Sequence, residues 1–529
     1  LLHETTASIT TAILGAASTT ERENILKWAR GLDAKDDDVD GNVTEARLIM
    51  GDPLHGEAAL IQYGGTEEAP DVTAFVPTND GYLHAVSTLT NTDGSAGGTE
   101  MFAFVPNELL GNLKAHYDAN GNATKVYGLD GSVTAWVNDQ DKDGIIESGD
   151  HAYIYFGMRR GGNNYYALDV TDRNNPKILW IIKGGSGNFT ELGQTWSQPK
   201  LRKVKYNNVE KQVLIFAGGY DTGQDANATR ADDDIGRAVY IVDAKTGERL
   251  WWASKSDSDL NLPQMKYSIP STVATADTDG DNYVDALYVG DMGGQLFRFD
   301  IAKGGAGTSL PGLITGGRIG EFSQDGSEPD NRRIYYPPSV ANVKMSDGAF
   351  HRVVTLGTGY REHPLVTSNA DRIYILMDNN SPGNYSLTEE SDLFDGSNSL
   401  ATTDTEKQVC TTSGLYAKLQ GMGEKSLANT VIFGSKVYAS TYIPYDSTNV
   451  ASCAPSEGSG RLYKISIAAC GVTANDIIDL TSPGIPSELR IITPEDQTNN
   501  QGGKQVGCVG TECESIDENI LPKLYWSDR

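Results

Sequence analysis

From about residue 46 onward one unit keeps returning: an apolar strand, a glycine-containing turn, a second strand of aromatic and β-branched residues, and often a closing aspartate. It stands at Val72–Ala85 (turn Asn79-Asp80-Gly81), Ala152–Asp169, Val213–Asp243, Ala286–Asp300, Val353–Asp378 and Val431–Ile467. A lone hairpin cannot bury both its faces, so such units must stack on one another. The closing acids Asp169, Asp243, Asp300 and Asp378 lie 74, 57 and 78 residues apart, so the repeat is irregular and carries insertions, at 223–235, 379–408 and 443–459. The pattern predicts an all-β fold, a β-propeller of four-stranded blades, with six blades legible. At 529 residues, with 58 glycines and 38% hydrophobic residues, the composition suits one large repetitive strand-and-turn architecture. The expected division is an N-terminal helix and acidic linker over 1–45, the propeller over 46–480, and a C-terminal segment over 481–529 whose cysteine pair packs on the propeller.

Residues 8–31 read as a helix, with Thr20 and Glu23 placed as a capping box and Gly31 as its stop. Met101–Leu113 reads as a strand halted at Pro106 and followed by a short helix.

Three acidic stretches interrupt this plan. In Asp277-Thr-Asp279-Gly-Asp281-Asn-Tyr283-Val-Asp285 the acids fall at positions 1, 3, 5 and 9 of a calcium loop, with the Tyr283 carbonyl at position 7. Four carboxylates held this close repel by roughly 4 kcal/mol per close pair at an effective dielectric near 20, so an empty folded loop is disfavoured. The second stretch runs from Asp139 to Asp150. It has Asp139, Asp141 and Asp143 at 1, 3 and 5, Gly144 at 6, the Ile145 carbonyl at 7, Glu147 at 9 and Asp150 at 12. The third offers Asp36, Asp38, Asp40 and Asn42 with Gly41 at position 6, but Arg47 stands where the twelfth-position acid belongs. It reads equally as a metal loop or as a solvated acidic linker.

The formal net charge of −28 argues against nucleic acid or an anionic membrane surface as partner and favours cations. No apolar run reaches the length of a membrane span. Leu1 follows no charged and apolar leader, so the chain is expected to be a mature or truncated segment with any export signal upstream. All five cysteines lie in the last quarter, in polar stretches, which predicts an oxidising compartment. Cys508–Cys513 is the expected first bridge, with a second between two of Cys410, Cys453 and Cys470. The histidines, His55 and His84 among them, form neither a His-Glu-x-x-His pair nor a Cys/His cluster, and no Gly-x-Ser-x-Gly follows a strand to open a helix.

Ala167-Leu-Asp169…Trp180 and Val242-Asp243…Trp251 resemble the blade motif of quinoprotein propellers, in which the tryptophan packs between neighbouring blades. Further runs carry a closer resemblance. Gly161-Gly162…Tyr165-Tyr166-Ala167-Leu168-Asp169-Val170-Thr171-Asp172, Thr195-Trp196-Ser197-Gln-Pro199, Gly290-Asp291-Met-Gly-Gly294-Gln-Leu296-Phe-Arg298-Phe-Asp300 and Gly51-Asp52-Pro53-Leu54-His55 are similar to the C-terminal propeller of the PilC/PilY family of type IV pilus biogenesis factors and tip-associated adhesins. The Leu-Tyr-Trp-Ser-Asp run near the C-terminus resembles the family's ending too. The resemblance implies a seven-bladed, quinoprotein-like propeller whose calcium loop maps onto Asp277, Asp279, Asp281, the Tyr283 carbonyl and Asp285. Two departures stand out: six clear blade units rather than seven, and no variable region ahead of the propeller.

The expected function is that of a non-enzymatic, calcium-regulated pilus assembly factor and adhesin. It would be exported to the bacterial surface, at the pilus tip or outer membrane, with pilins or minor pilins and host or surface receptors as partners. Ca²⁺ on the 277–285 loop would shift it between states that permit pilus extension or retraction. The alternatives are an adhesin with purely structural Ca²⁺ and a quinoprotein-like dehydrogenase, whose characteristic adjacent cysteines are missing here.

Overall fold

The computed structural model describes residues 2–47, 49–89, 97–119, 125–345, 348–378, 381–445, 457–492 and 505–516. Cys453, the Leu-Tyr-Trp-Ser-Asp run and most of 443–459 lie outside them. The chain divides into two compact units, Leu1–Leu201 with Lys245–Gly247, and Arg202–Ala244 with Glu248–Arg529.

The first unit opens with two helices, Thr11–Leu14 and Thr19–Ala29, where the sequence suggests one. Gly15 breaks the run at φ +66°. The second helix is capped by Ser18, whose hydroxyl accepts the Glu21 N–H at 3.1 Å, so the capping residues lie two positions earlier than Thr20 and Glu23. Leu14, Ile25 and Leu26 bury against Tyr82, Leu110 and Leu113. Two antiparallel sheets follow, their strands in chain order. The first comprises Ala59–Gly65, Pro70–Pro77, Leu83–Ser87 and Thr99–Phe104; the second comprises Val133–Asn138, His151–Gly157, Asn164–Asp169 and Lys177–Lys183. Ile61, Phe75 and Leu83 of the first share a core with Ile154, Phe156 and Leu168 of the second. The Pro106 halt stands as expected, with a helix at Asn112–Asp118 beyond it.

Four larger sheets build the second unit. The third sheet of the chain runs Lys200–Tyr206, Val209–Ala217, Ala238–Asp243, Arg249–Ser254, with Leu260–Asn261 as a parallel edge strand; its first turn is Asn207-Asn208, both at positive φ, as a two-residue type I′ hairpin turn requires. The fourth is Ala274–Ala276, Ala286–Gly290, Gln295–Ile301, Ile314–Glu321, and the fifth Ser339–Lys344, Phe350–Gly357, Arg372–Met377, Gly414–Lys418. The sixth holds Lys425–Ser426, Lys436–Ile443, Ser459–Ser466 and Ile477–Asp479. Leu489–Ile492, Val506–Val509 and Glu512–Ser515 add a three-stranded sheet, whose Leu489 and Val509 bury with Phe433, Tyr438 and Leu462. Every repeated unit read from the sequence holds an adjacent antiparallel strand pair of a sheet.

Within the second unit consecutive sheets share cores: Ile215, Ile241 and Trp251 meet Leu287 and Phe299, and Ile373 and Ile375 meet Val437 and Tyr463. Trp251 is fully buried with its ring 5.6 Å from that of Phe299 in the next sheet. Truncating such a ring costs about 3–5 kcal/mol. The closing acids are charge partners as well as markers of the repeat. The fully buried Arg298 donates to Asp300 at 2.8 Å and to Asp378 at 3.0 Å, while Tyr288 and Tyr385 donate to the same carboxylates. Burial without partners would make each of these charges costly. The 379–408 insertion supplies Thr388–Glu389 as a parallel edge strand of the fourth sheet and Phe394–Asp395 as one of the fifth. Among the described residues two bridges form, Cys508–Cys513 and Cys410–Cys470.

Candidate metal loops

The three acidic stretches share one backbone. Position 4 has positive φ in each, at Val39 (63°), Lys142 (62°) and Gly280 (82°), and so has position 6, at Gly41 (84°), Gly144 (80°) and Asn282 (70°). The position-1 carboxylate accepts the position-6 N–H: Asp36 from Gly41 at 2.9 Å, Asp139 from Gly144 at 2.9 Å, Asp277 from Asn282 at 2.7 Å. The position-5 carboxylate accepts the position-7 N–H: Asp40 from Asn42, Asp143 from Ile145, Asp281 from Tyr283. These bonds wind the chain so that alternate carboxylates converge, the geometry a hard cation with oxygen ligands requires.

Convergence differs from loop to loop. Asp139, Asp141 and Asp143 bring one oxygen each within 4.8 Å of the others, and so do Asp277, Asp279 and Asp285. Glu147 stands outside the former group, and Asp150 accepts the Gln140 and Glu147 N–H groups at 3.1 Å. In the opening loop Asp36, Asp38 and Asp40 converge, as do Asp33, Asp38 and Glu45, two of which the spacing did not single out. The Asn42 side-chain oxygen is taken by Thr44. In the 277–285 loop Tyr283 donates its hydroxyl to Glu210 at 2.8 Å.

Lys303 is the residue that loop spacing could not reveal. Its ammonium lies 2.7 Å from Asp279, 2.6 Å from Asp281 and 3.7 Å from Asp285. Ordered backbone delivers it: Ile301 N–H donates to the Asp285 carbonyl at 2.7 Å, Ala302 to Leu313 and Gly304 to Lys205, both at 2.9 Å. Partial burial opposes the charge of Lys303, but Asp279 and Asp281 outweigh it and hold its pKa above the usual value. The ammonium in turn holds Asp281 below the ordinary carboxylate range. Among the described residues no such cation pairs with the 139–150 carboxylates: lost solvent and then Asp139 and Asp143 push Asp141 up, while the Gly144 and Lys142 N–H groups hold Asp139 down.

The sequence runs outside the loops have packing roles. His55 Nδ1 lies 2.7 Å from buried Asp130, which also accepts from Asn79 at 3.0 Å and Arg159 at 3.2 Å. Gly51 leaves no room for a side chain, since a Cβ there would lie 2.4 Å from the Asp80 carboxyl carbon. Asp291 accepts from Gly293 and Gln295, and a Cβ on Gly293 would meet the Tyr267 ring at 2.1 Å.

The family model of the PilY1 beta-propeller domain matches residues 50–390. The chain belongs to this family. Within the PilY1 family it is 27% identical over 449 residues to a type IV pilus biogenesis factor PilY1 homolog of Xylella fastidiosa, covering 78% of this chain and 27% of that protein. It is 29% identical over 263 residues to the type IV pilus biogenesis factor PilY1 of Pseudomonas aeruginosa, covering 48% of this chain and 19% of that one. The chain thus spans about a quarter or less of the length of these relatives. The crystal structure of the Pseudomonas aeruginosa PilY1 C-terminal domain superposes with a TM-score of 0.55 at 19% identity, over 84% of this chain and 93% of that one, a likeness of fold. The PilY1 family propeller is therefore the fold of this all-β chain. Among the described residues no helix is long and apolar enough to cross a membrane.

Proposed function

We propose that this chain is the calcium-binding, non-enzymatic propeller of a type IV pilus biogenesis factor and adhesin, in which Ca²⁺ on the 277–285 loop biases the protein between states that permit pilus extension or retraction. The observation that carries the metal is Lys303: a cation already stands among the carboxylates of Asp279, Asp281 and Asp285, and the donors are all hard oxygens, suited to Ca²⁺ rather than to a soft metal. Asp277, Asp279 and Asp285, with Asp281 and the Tyr283 carbonyl, would hold the ion; bound there, it would neutralise the loop's charge and fix its course between two strands of the fourth sheet. A ligand shifts a conformational equilibrium only by its differential affinity for the two states. Family membership supports the pilus role, with pilins or minor pilins as partners and a surface or pilus-tip location; the two disulfides fit an exported chain.

The test joins binding to piliation. Calorimetric titration of chelated protein with Ca²⁺ should detect binding that Asp277→Asn weakens, and cells carrying that substitution in the full-length protein should make the protein yet misregulate surface pili. Normal piliation despite lost binding would assign the metal a structural role only.

A further inference from the structure

We propose that Lys303 is a tethered competitor of the metal ion, so that Ca²⁺ binding to the 277–285 loop is an exchange of an internal ammonium for a free divalent cation. The proposal rests on the calcium reading of that loop. An ammonium 2.6–2.7 Å from Asp279 and Asp281 occupies the space in which a metal would take its oxygens at about 2.3–2.6 Å. The two cations cannot share it, because like charges a few Å apart repel strongly outside bulk water.

Lys303 is also aimed there rather than merely near. The N–H groups of Ile301, Ala302 and Gly304 are all bonded to neighbouring backbone, and the first of these bonds goes to Asp285 of the loop itself. The side chain is 30% exposed, so it has a route to solvent when displaced. The second sheet supplies a built-in comparison. There Val170 N–H donates to the Ala152 carbonyl as Ile301 does to Asp285, and two residues further on stands Asp172 where the fourth sheet has Lys303.

Two consequences follow. Without Ca²⁺ the loop keeps a counter-ion and stays folded, so metal loss does not simply melt it. With Ca²⁺, part of the binding energy is spent expelling the lysine, which weakens the site and leaves affinity sensitive to ionic strength.

The experiment is a calorimetric Ca²⁺ titration of the chelated chain as wild type, Lys303→Met, Lys303→Arg and Asp277→Asn, the last identifying the signal of this loop. Lys303→Met should bind roughly ten- to a hundredfold tighter at that site, the effect of removing one competing charge from a partly exposed cluster. Amide exchange of 277–285 in chelator should become faster in the same variant, and Lys303→Arg should stay near wild type. An unchanged or weaker affinity in Lys303→Met, with the Asp277→Asn-sensitive signal present in wild type, overturns the exchange and leaves the calcium reading standing. Absence of that signal from both wild type and Lys303→Met overturns both. If Lys303→Met does not fold, Lys303→Gln takes its place with the same expectation.

Discussion

The loops at 139–150 and 277–285 occupy the same place in their sheets, each joining the first strand to the second, and share a backbone down to the positive φ at positions 4 and 6. They differ in what surrounds them. One has a lysine between its carboxylates; in the other, among the described residues, no lysine or arginine side chain pairs with Asp139, Asp141 or Asp143, and Lys142 contributes only its backbone N–H. Loop conformation is thus set locally, by side-chain oxygens accepting N–H groups a few residues on, whereas the electrostatic state of the loop is set by a residue arriving from another strand. Two loops of equal spacing need not behave alike toward metal.

Four experiments break or sharpen that contrast. The largest effect expected is that of Cys410→Ser with Cys470→Ser, about 4 kcal/mol for a closure across a separation of 60 residues, read by denaturant unfolding. The calcium response should survive it if each loop acts locally; its disappearance would mean that the loops report global stability. Next, Asp279→Ala should weaken Ca²⁺ binding at the 277–285 loop and so reduce its calcium-dependent stabilisation, about 2.7 kcal/mol in wild type at a hundredfold excess over Kd, read as a smaller rise in Tm. An unchanged response would transfer the site to 139–150. Third is a pH control. Burial lowers the pKa of His84, but the Asp80 carboxylate 3.9 Å from its Nε2 and Glu100, hydrogen-bonded to its Nδ1 at 2.7 Å, outweigh it and raise it to about 9. Its stabilisation is therefore full below the unfolded value of about 6.5 and lost as pH rises through about 9. After screening this is worth about 1 kcal/mol, and His84→Gln should flatten the Tm profile across that window. The smallest effects are the most pointed. In chelator, Asp141→Asn should stabilise its crowded loop, whereas Asp281→Asn should destabilise its own by removing a partner of Lys303. Shifts of the same sign would erase the distinction between the loops.

The hairpin units and the acidic spacing were legible because each is a local pattern: period-two apolar residues, turn glycines, and carboxylates at alternate positions. Lys303 was not legible, since it lies 18 residues beyond Asp285 and only the pairing of two strands returns it to the loop. Arg298 falls within one of the family-like sequence runs, yet nothing local says that it binds both Asp300 and Asp378, 78 residues apart in the chain. The N-terminal segment departs from the single helix expected over 8–31 for a related reason. Apolar periodicity continues across Gly15, but a left-handed residue there and a serine cap at Ser18 divide it into two helices.

The Cys410–Cys470 bridge bears on how the chain responds to being pulled. Cys410 lies in the helix Asp404–Thr412 and Cys470 follows the third strand of the sixth sheet. A force applied at the C-terminal end can strip strands only back to Cys470, where the load passes through the sulfur bridge to Cys410 and bypasses the chain between. The residues in that covalent loop, a separation of 60, stay out of the extension, and at 3.3–3.6 Å per residue this withholds roughly 200 Å of contour length. Stretching single molecules with and without reductant would read that length directly.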